Sequence, residues 1–141
     1  MCIRARNVAT GGTLFGNPLS AAAAKAALTE VLVPAAYAHT TALGGELADG
    51  IADAIGAAGL PWTVIRFGPR SGQWYGPMPR TGADAYALTD NQLTMLMRIW
   101  LANRGIWDGL PGAGPTVPVP ATRADVTRYV SAYAELLAEL R

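Results

Sequence analysis

Lysine, histidine and cysteine each occur once in this chain of 141 residues, as Lys25, His39 and Cys2. A single cysteine leaves no disulfide and no cysteine-rich metal site within the chain, and a reducing cytoplasm is the simplest setting for it. A single histidine has no second His or Cys with which to bind a metal, and no Ser-His-Asp or Cys-His arrangement exists. Charge is also sparse, at 15% of residues with a formal net charge of +1, and the arginines are scattered. That leaves no electrostatic case for nucleic acid or for an anionic membrane. "MCIRARNVAT" has no apolar core behind its arginines, so it does not read as a secretory signal. The longest apolar run, "LSAAAAKAALTEVLVPAAYA", is interrupted by Lys25, Glu30 and Pro34 and is rich in Ala rather than Leu, unlike a membrane span. The expectation is a soluble, cytoplasmic chain near the commonest domain size.

What is present is 51% hydrophobic, with 16 glycines and 10 prolines, a globular composition. Asn17 suits an N-cap and Pro18 the first helical position, which predicts a helix from Pro18 to Val31 with an almost all-alanine face. Pro34 opens a second helix in which Leu43, Leu47, Ile51 and Ile55 recur at i+4, while Glu46, Asp49 and Asp53 fall on the solvent side. Gly59 ends it. "WTVIRFG" and "SGQWYG", separated by Pro69 and Arg70, read as a β-hairpin. Residues 77–88 read as an irregular excursion. "TDNQ" fits a capping box with Thr89 as cap, followed by a stripe of Leu93, Leu96, Met97, Trp100 and Leu101 that Gly105 stops. "GIWDGL" and "GPTVPVP" could each add a short strand, the second confined to an edge by its prolines. "TRAD" offers a further cap before an amphipathic helix carrying Val126, Tyr129, Val130, Tyr133, Leu136, Leu137 and Leu140. The class expected is α+β, with a small antiparallel sheet of about three or four short strands covered by helices.

The stretch "GGTLFGNPLS", residues 11–20, carries the most chemistry. "GGTLFG" has the glycine spacing of a P-loop, but the lysine and Ser/Thr that should follow are replaced by Asn17 and Pro18. No G-x-G-x-x-G fingerprint is present. Two readings remain open from the residues alone. Free backbone N–H groups at a helix N-terminus, with the Thr13 hydroxyl, could hold a phosphate, or the stretch could be a tight turn before a capped helix.

"GGTLFGNPLSAAAAKAAL" resembles the segment read as G-T-x-x-G-N-P-L-x-x-A-A in class III (fold type I) pyridoxal-phosphate aminotransferases, nearest the glutamate-1-semialdehyde aminomutase branch. "AYAHTTALGGELADGI", "RFGPRSGQWYG", "NRGIW" and "TRADVTRYVSAYAELLAEL" resemble later family segments in the same order. The resemblance covers nearly the whole chain after residue 8 and corresponds to the C-terminal third of such enzymes. It implies that Gly12 and Thr13 bind the cofactor phosphate across a dimer interface. It also implies a division into residues 1–32, the end of the cofactor domain, and 33–141, a small α+β domain.

The family's cofactor-bonding lysine, the aspartate facing the pyridine nitrogen and the stacking aromatic lie upstream of this motif, in sequence the chain does not contain. Lys25 falls past the motif and reads as a solvated or interfacial helix residue. No catalytic residue and no metal ligand is therefore assigned. The expected function is the C-terminal part of a transaminase or aminomutase, inactive as this chain alone, with pyridoxal 5'-phosphate not bound covalently. Its partner would be a second copy or a longer homologous chain, and its substrate an amino acid or amino-ketone. The alternatives are a non-catalytic remnant and a phosphate-ligand binding or oligomerisation module. Among the remaining residues, His39 reads as a surface or cap histidine, Trp74 and Tyr75 as core aromatics, and Arg66 and Arg70 as solvated.

Overall fold

The computed structural model describes residues 16–109 and 114–140, in two compact units that divide between Val33 and Pro34. In the first unit, α1 (Pro18–Ala26) continues into a π-helical turn, Ala27–Val31. That turn closes with the wide i→i+5 bond of Leu32 N to Ala27 O at 2.8 Å, as π geometry requires. Apart from Leu19 the apolar side chains of α1 are small, and none of its residues is buried.

The second unit is built on α2 (Pro34–Ala58). Its residues at i, i+4, i+8 and i+12, Leu43, Leu47, Ile51 and Ile55, are all buried, as one-faced helical spacing dictates. Gly59 ends the helix with a φ of 67°, the left-handed conformation that costs glycine nothing. Against α2 lie the antiparallel strands β1 (Thr63–Phe67) and β2 (Arg70–Trp74), in the register Thr63↔Trp74 to Phe67↔Arg70. The loop between them is Gly68–Pro69, with Gly68 at a φ of 56°. Short helix α3 (Gly82–Ala87), helix α4 (Asn91–Ala102) and helix α5 (Arg123–Glu139) follow. The core is shared by α2, α4 and α5, with Tyr133, Ile51, Leu136 and Leu137 among its most enclosed side chains.

Four local expectations are corrected. Residues 77–88 contain α3, because Thr81 and Asp84 form a reciprocal capping box that starts a helix. The cap of α4 is Asp90, whose carboxylate accepts from Leu93 N at 2.9 Å. Thr89 instead donates its hydroxyl to Tyr86 O at 2.7 Å and closes α3. The sheet has two strands among the described residues, not three or four. "GPTVPVP" adds a single bridge, Arg70↔Thr116, with Ser71 N bonded to Pro115 O and Val117 N to Pro69 O. Pro115 and Pro118 have no N–H, so the ladder stops where its donors do. The described residues of "GIWDGL" form no strand. In the α4 stripe Leu96 is exposed, whereas Met97 and Leu101 are buried.

Two glycines let α2 come close to its neighbours. A Cβ on Gly44 would lie 2.6 Å from Gly68 O and 2.7 Å from Pro69 Cα, both in the hairpin loop backbone. A Cβ on Gly50 would meet Val130 Cγ2 of α5 at 2.5 Å. The Thr122–Asp125 capping box starts α5, and Arg123 grips Glu46 of α2 through two bonds of 2.8 and 2.6 Å. Glu46, expected on the solvent face of α2, thus also forms a helix-to-helix ion pair.

Gly44→Ala should destabilise the chain by about 1–3 kcal/mol, because the clash is with backbone that cannot rotate away. Gly45→Ala, whose Cβ would meet nothing within 4 Å, should stabilise slightly, by about 0.5–1 kcal/mol. Urea melts of both variants check the pair. If Gly44→Ala is neutral, α2 does not need this contact.

The pH limits follow from two groups of side chains. The Arg123 hydrogen bond lowers the Glu46 pKa, and hydrogen bonds from Thr81 and Thr122 lower those of Asp84 and Asp125. Their contribution is present above the usual carboxylate range and is lost as pH falls through and below about 4. Burial raises the phenol pKa of Tyr75, Tyr129 and Tyr133. Their contribution is complete below the ordinary tyrosine value of about 10 and is lost as pH rises beyond it. In a chain carrying Phe at the exposed Tyr37 and Tyr86, the 295 nm phenolate absorbance should therefore rise together with loss of far-UV circular dichroism. A phenolate signal that precedes unfolding would refute the burial of these three rings.

Candidate functional site

Gly12 and Thr13 lie outside the described residues, and the structure gives instead the helix start directly behind them. Gly16 has a φ of 76°, and Asn17 Oδ1 accepts from Leu19 N at 2.9 Å and Ser20 N at 3.2 Å. Pro18 has no N–H, and Ala21 N is bonded to Asn17 O at 2.9 Å. The first turn of α1 is thereby saturated by its own cap. The first-turn N–H groups of α1 are therefore not free to hold an anion. Lys25 is exposed on α1, in keeping with a solvated or interfacial residue.

In the second unit, a cavity of about 110 Å³ lies between β2 and α4. β2 and the residue after it supply Gln73, Trp74 and Tyr75, and α4 supplies Asn91, Thr94, Met97 and Arg98. Thr94 and Arg98 project together because they are four residues apart on one helix. Thr94 donates its hydroxyl to Asp90 O at 2.7 Å, so the Tyr75 hydroxyl, 2.9 Å away, donates to Thr94. Gln73 Nε2 donates to Met97 Sδ at 3.5 Å. Tyr75 also packs edge to face on Trp62, with ring centroids 5.0 Å apart, and its pKa is raised chiefly by burial. Arg98 completes the wall. Its guanidinium carbon lies 4.9 Å from the centre of the Trp107 ring, and its Nε is buried with no hydrogen-bond partner among the described residues. A second, more open cavity of about 440 Å³ is lined by Trp107, Val117, Val126, Arg128 and Tyr129.

The other residues singled out in the sequence are structural. His39 Nε2 is 2.9 Å from Ala121 O, which ties α2 to the segment before α5. Arg66 pairs with Asp49 on α2, so it is a partnered arginine and not merely a solvated one. Tyr75 joins the edge of the core, as expected of a core aromatic. No group of three or more His, Cys, Asp or Glu side chains that could hold a metal ion occurs among the described residues. Arg98 was not singled out from the sequence. Its only signal there is a Thr94/Arg98 pair beside the Met97/Leu101 stripe, a pattern that a solvent-facing helix shares.

No protein-family model matches the chain. It is 37% identical over 75 residues to a glutamate-1-semialdehyde 2,1-aminomutase of Desulfosudis oleivorans, a match spanning 53% of this chain and 18% of that protein. It is 42% identical over 57 residues to glutamate-1-semialdehyde 2,1-aminomutase 2 of Brevibacillus brevis, covering 40% of this chain and 13% of that protein. Its fold matches a glutamate-1-semialdehyde-aminomutase of Pseudomonas aeruginosa with a TM-score of 0.85 at 29% identity, over 93% of this chain and 29% of that one. A structure of a variant of such an enzyme from that organism, solved in complex with PMP, matches at 0.84 and 30%. A β-phenylalanine aminotransferase of Variovorax paradoxus matches at 0.80 and 25% identity, over 94% of this chain and 30% of its own. The chain therefore spans less than a third of the length of the proteins it matches. Over the stretch it shares with them, the chain is similar in sequence and in fold to pyridoxal-phosphate-dependent class III aminotransferases of the glutamate-1-semialdehyde aminomutase kind.

Proposed function

We propose that the chain is the C-terminal part of a pyridoxal-phosphate-dependent aminotransferase or aminomutase, contributing the phosphate loop and the small domain. The observation that carries this reading is a fold match over 93% of the chain that takes up only 29% of the matched enzyme. Residues 1–32 would belong to the cofactor domain and 33–141 to the small domain. The partner would be a second copy or a longer homologous chain in the cytoplasm, and the substrate an amino acid or amino-ketone.

Bound in such an enzyme, the cofactor supplies an electron sink for the bond broken at the amino-bearing carbon of the substrate. The work of this chain is narrower. Gly12 N–H and the Thr13 hydroxyl would donate to the cofactor phosphate. A charge-assisted bond of that kind is worth about 1.5–3 kcal/mol when shielded from water. Asn17 fixes the exit of the loop by capping α1. Lys25, the sole lysine, follows the motif and would not bond the cofactor, so catalysis would need the residues of a complete enzyme.

Incubation of the chain with pyridoxal phosphate, borohydride reduction and peptide mass mapping should give no stoichiometric adduct at Lys25. A site-specific adduct there with turnover of any amino acid would overturn the assignment. In a pair reconstituted with a longer homologous chain, Thr13→Ala should weaken cofactor retention by about ten- to a hundred-fold, the loss of one charge-assisted bond. Its melting temperature should barely change. Asn17→Ala should do the opposite, costing about 1 kcal/mol of stability with cofactor affinity nearly intact. Unchanged retention in Thr13→Ala removes the phosphate role from this loop.

A further inference from the structure

The cavity between β2 and α4 holds a cation whose hydrogen bonding is unfinished. Arg98 Nε is shut off from solvent and has no partner among the described residues. An unpaired, buried guanidinium N–H is a costly group to leave in place. The neighbouring polar groups do not serve it. Thr94 donates to Asp90 O, Tyr75 donates to Thr94, and Gln73 donates to Met97. Trp107 offers Arg98 a ring face at 4.9 Å but no acceptor for the Nε–H. None of the acceptors in the wall is bonded to the Arg98 Nε–H among the described residues.

Charge decides which acceptor fits. The formally charged residues lining the cavity are Arg98 and Asp108, and Asp108 already has an interaction of its own within the chain. With one guanidinium and one carboxylate in the wall, a phosphate dianion would meet twice the repulsion from Asp108 that a monoanion meets. Volume points the same way. A cavity of about 110 Å³ holds several waters or one small organic acid. Met97, Leu88, Leu101 and Pro115 supply an apolar wall for a short alkyl tail. We propose that the cavity between β2 and α4 binds a small monocarboxylic acid, its carboxylate held by Arg98 and its tail against Met97 and Leu101. The site is separate from the cofactor reading, since none of its residues belongs to the Gly12–Thr13 loop, and it stands or falls without it.

The test uses the whole chain, ¹⁵N-labelled, with the Arg98 Nε–H and Trp107 indole N–H signals followed by NMR near neutral pH. Sodium propionate is titrated in, against sodium chloride and sodium phosphate at equal ionic strength. Propionate should shift both signals saturably, with half-saturation on the order of 1–10 mM for so small a ligand. Chloride and phosphate should shift them only weakly and linearly. Arg98→Gln should abolish saturation at the Trp107 indole. Arg98→Lys keeps the charge without the guanidinium fork and should weaken binding about ten-fold or more, a readout that remains if Arg98→Gln does not fold. Equal linear shifts with propionate and chloride would mean that the cavity holds water alone and would overturn the proposal. Saturation by phosphate, or an unchanged midpoint in Arg98→Lys, would overturn it as well.

Discussion

Helix α2 can serve as the axis of the second unit only because two of its four glycines stand where its neighbours come closest. At Gly44 the hairpin loop comes so close that a methyl group would overlap Gly68 O and Pro69 Cα, and at Gly50 the Val130 side chain of α5 takes the same space. Each glycine costs the helix about 0.5–1 kcal/mol in intrinsic preference. That cost is offset by packing, because close approach lets Leu43, Leu47 and Ile51 reach past the helix surface into a shared core. The rest of the unit follows from this geometry. The hairpin loop backs onto α2, so Pro69 O is placed to receive Val117 N and to fix the one bridge of the edge segment. Helix α5 lies along the other side, where Arg123 meets Glu46.

Those contacts also explain what could be read from the sequence. The i+4 series in α2 was legible, as were the Gly59 stop, the Asn17 cap, the hairpin and the Thr122 box, because each depends on residues within a turn or two of one another. Where two local solutions competed, the sequence was ambiguous. Thr89 and Asp90 can both cap α4. Asp90 caps α4 because Thr89 uses its hydroxyl to close α3. Tertiary contacts were illegible for a different reason. Nothing adjacent to Glu46 announces Arg123, which lies 77 residues away, and nothing adjacent to His39 announces Ala121.

The candidate sites divide along the same line. The Gly12–Thr13 motif is a string of neighbouring residues and so was visible in the sequence, while its geometry falls outside the described residues. The β2–α4 cavity has the opposite character. Gln73, Tyr75, Thr94 and Arg98 are unremarkable one by one, and only the fold brings them to one wall. A motif search finds sites whose chemistry is contiguous. Sites assembled from different elements depend on which buried groups the fold leaves without a partner, as Arg98 Nε is among the described residues.

Helix α1 raises the converse question, of what an element needs when it buries nothing. Nine residues is too short for a helix to be stable in water by itself, even with the Asn17 cap and a Pro at the first position. Its larger side chains and those of the turn behind it face outward, with Leu19 79% and Leu28 65% exposed. Alanine gives the helix good propensity but little area to bury, so a partner would gain from it mainly by packing closely against its backbone. The alanine face and the saturated first turn therefore describe a helix whose own donors are already used and whose surface invites close backbone packing.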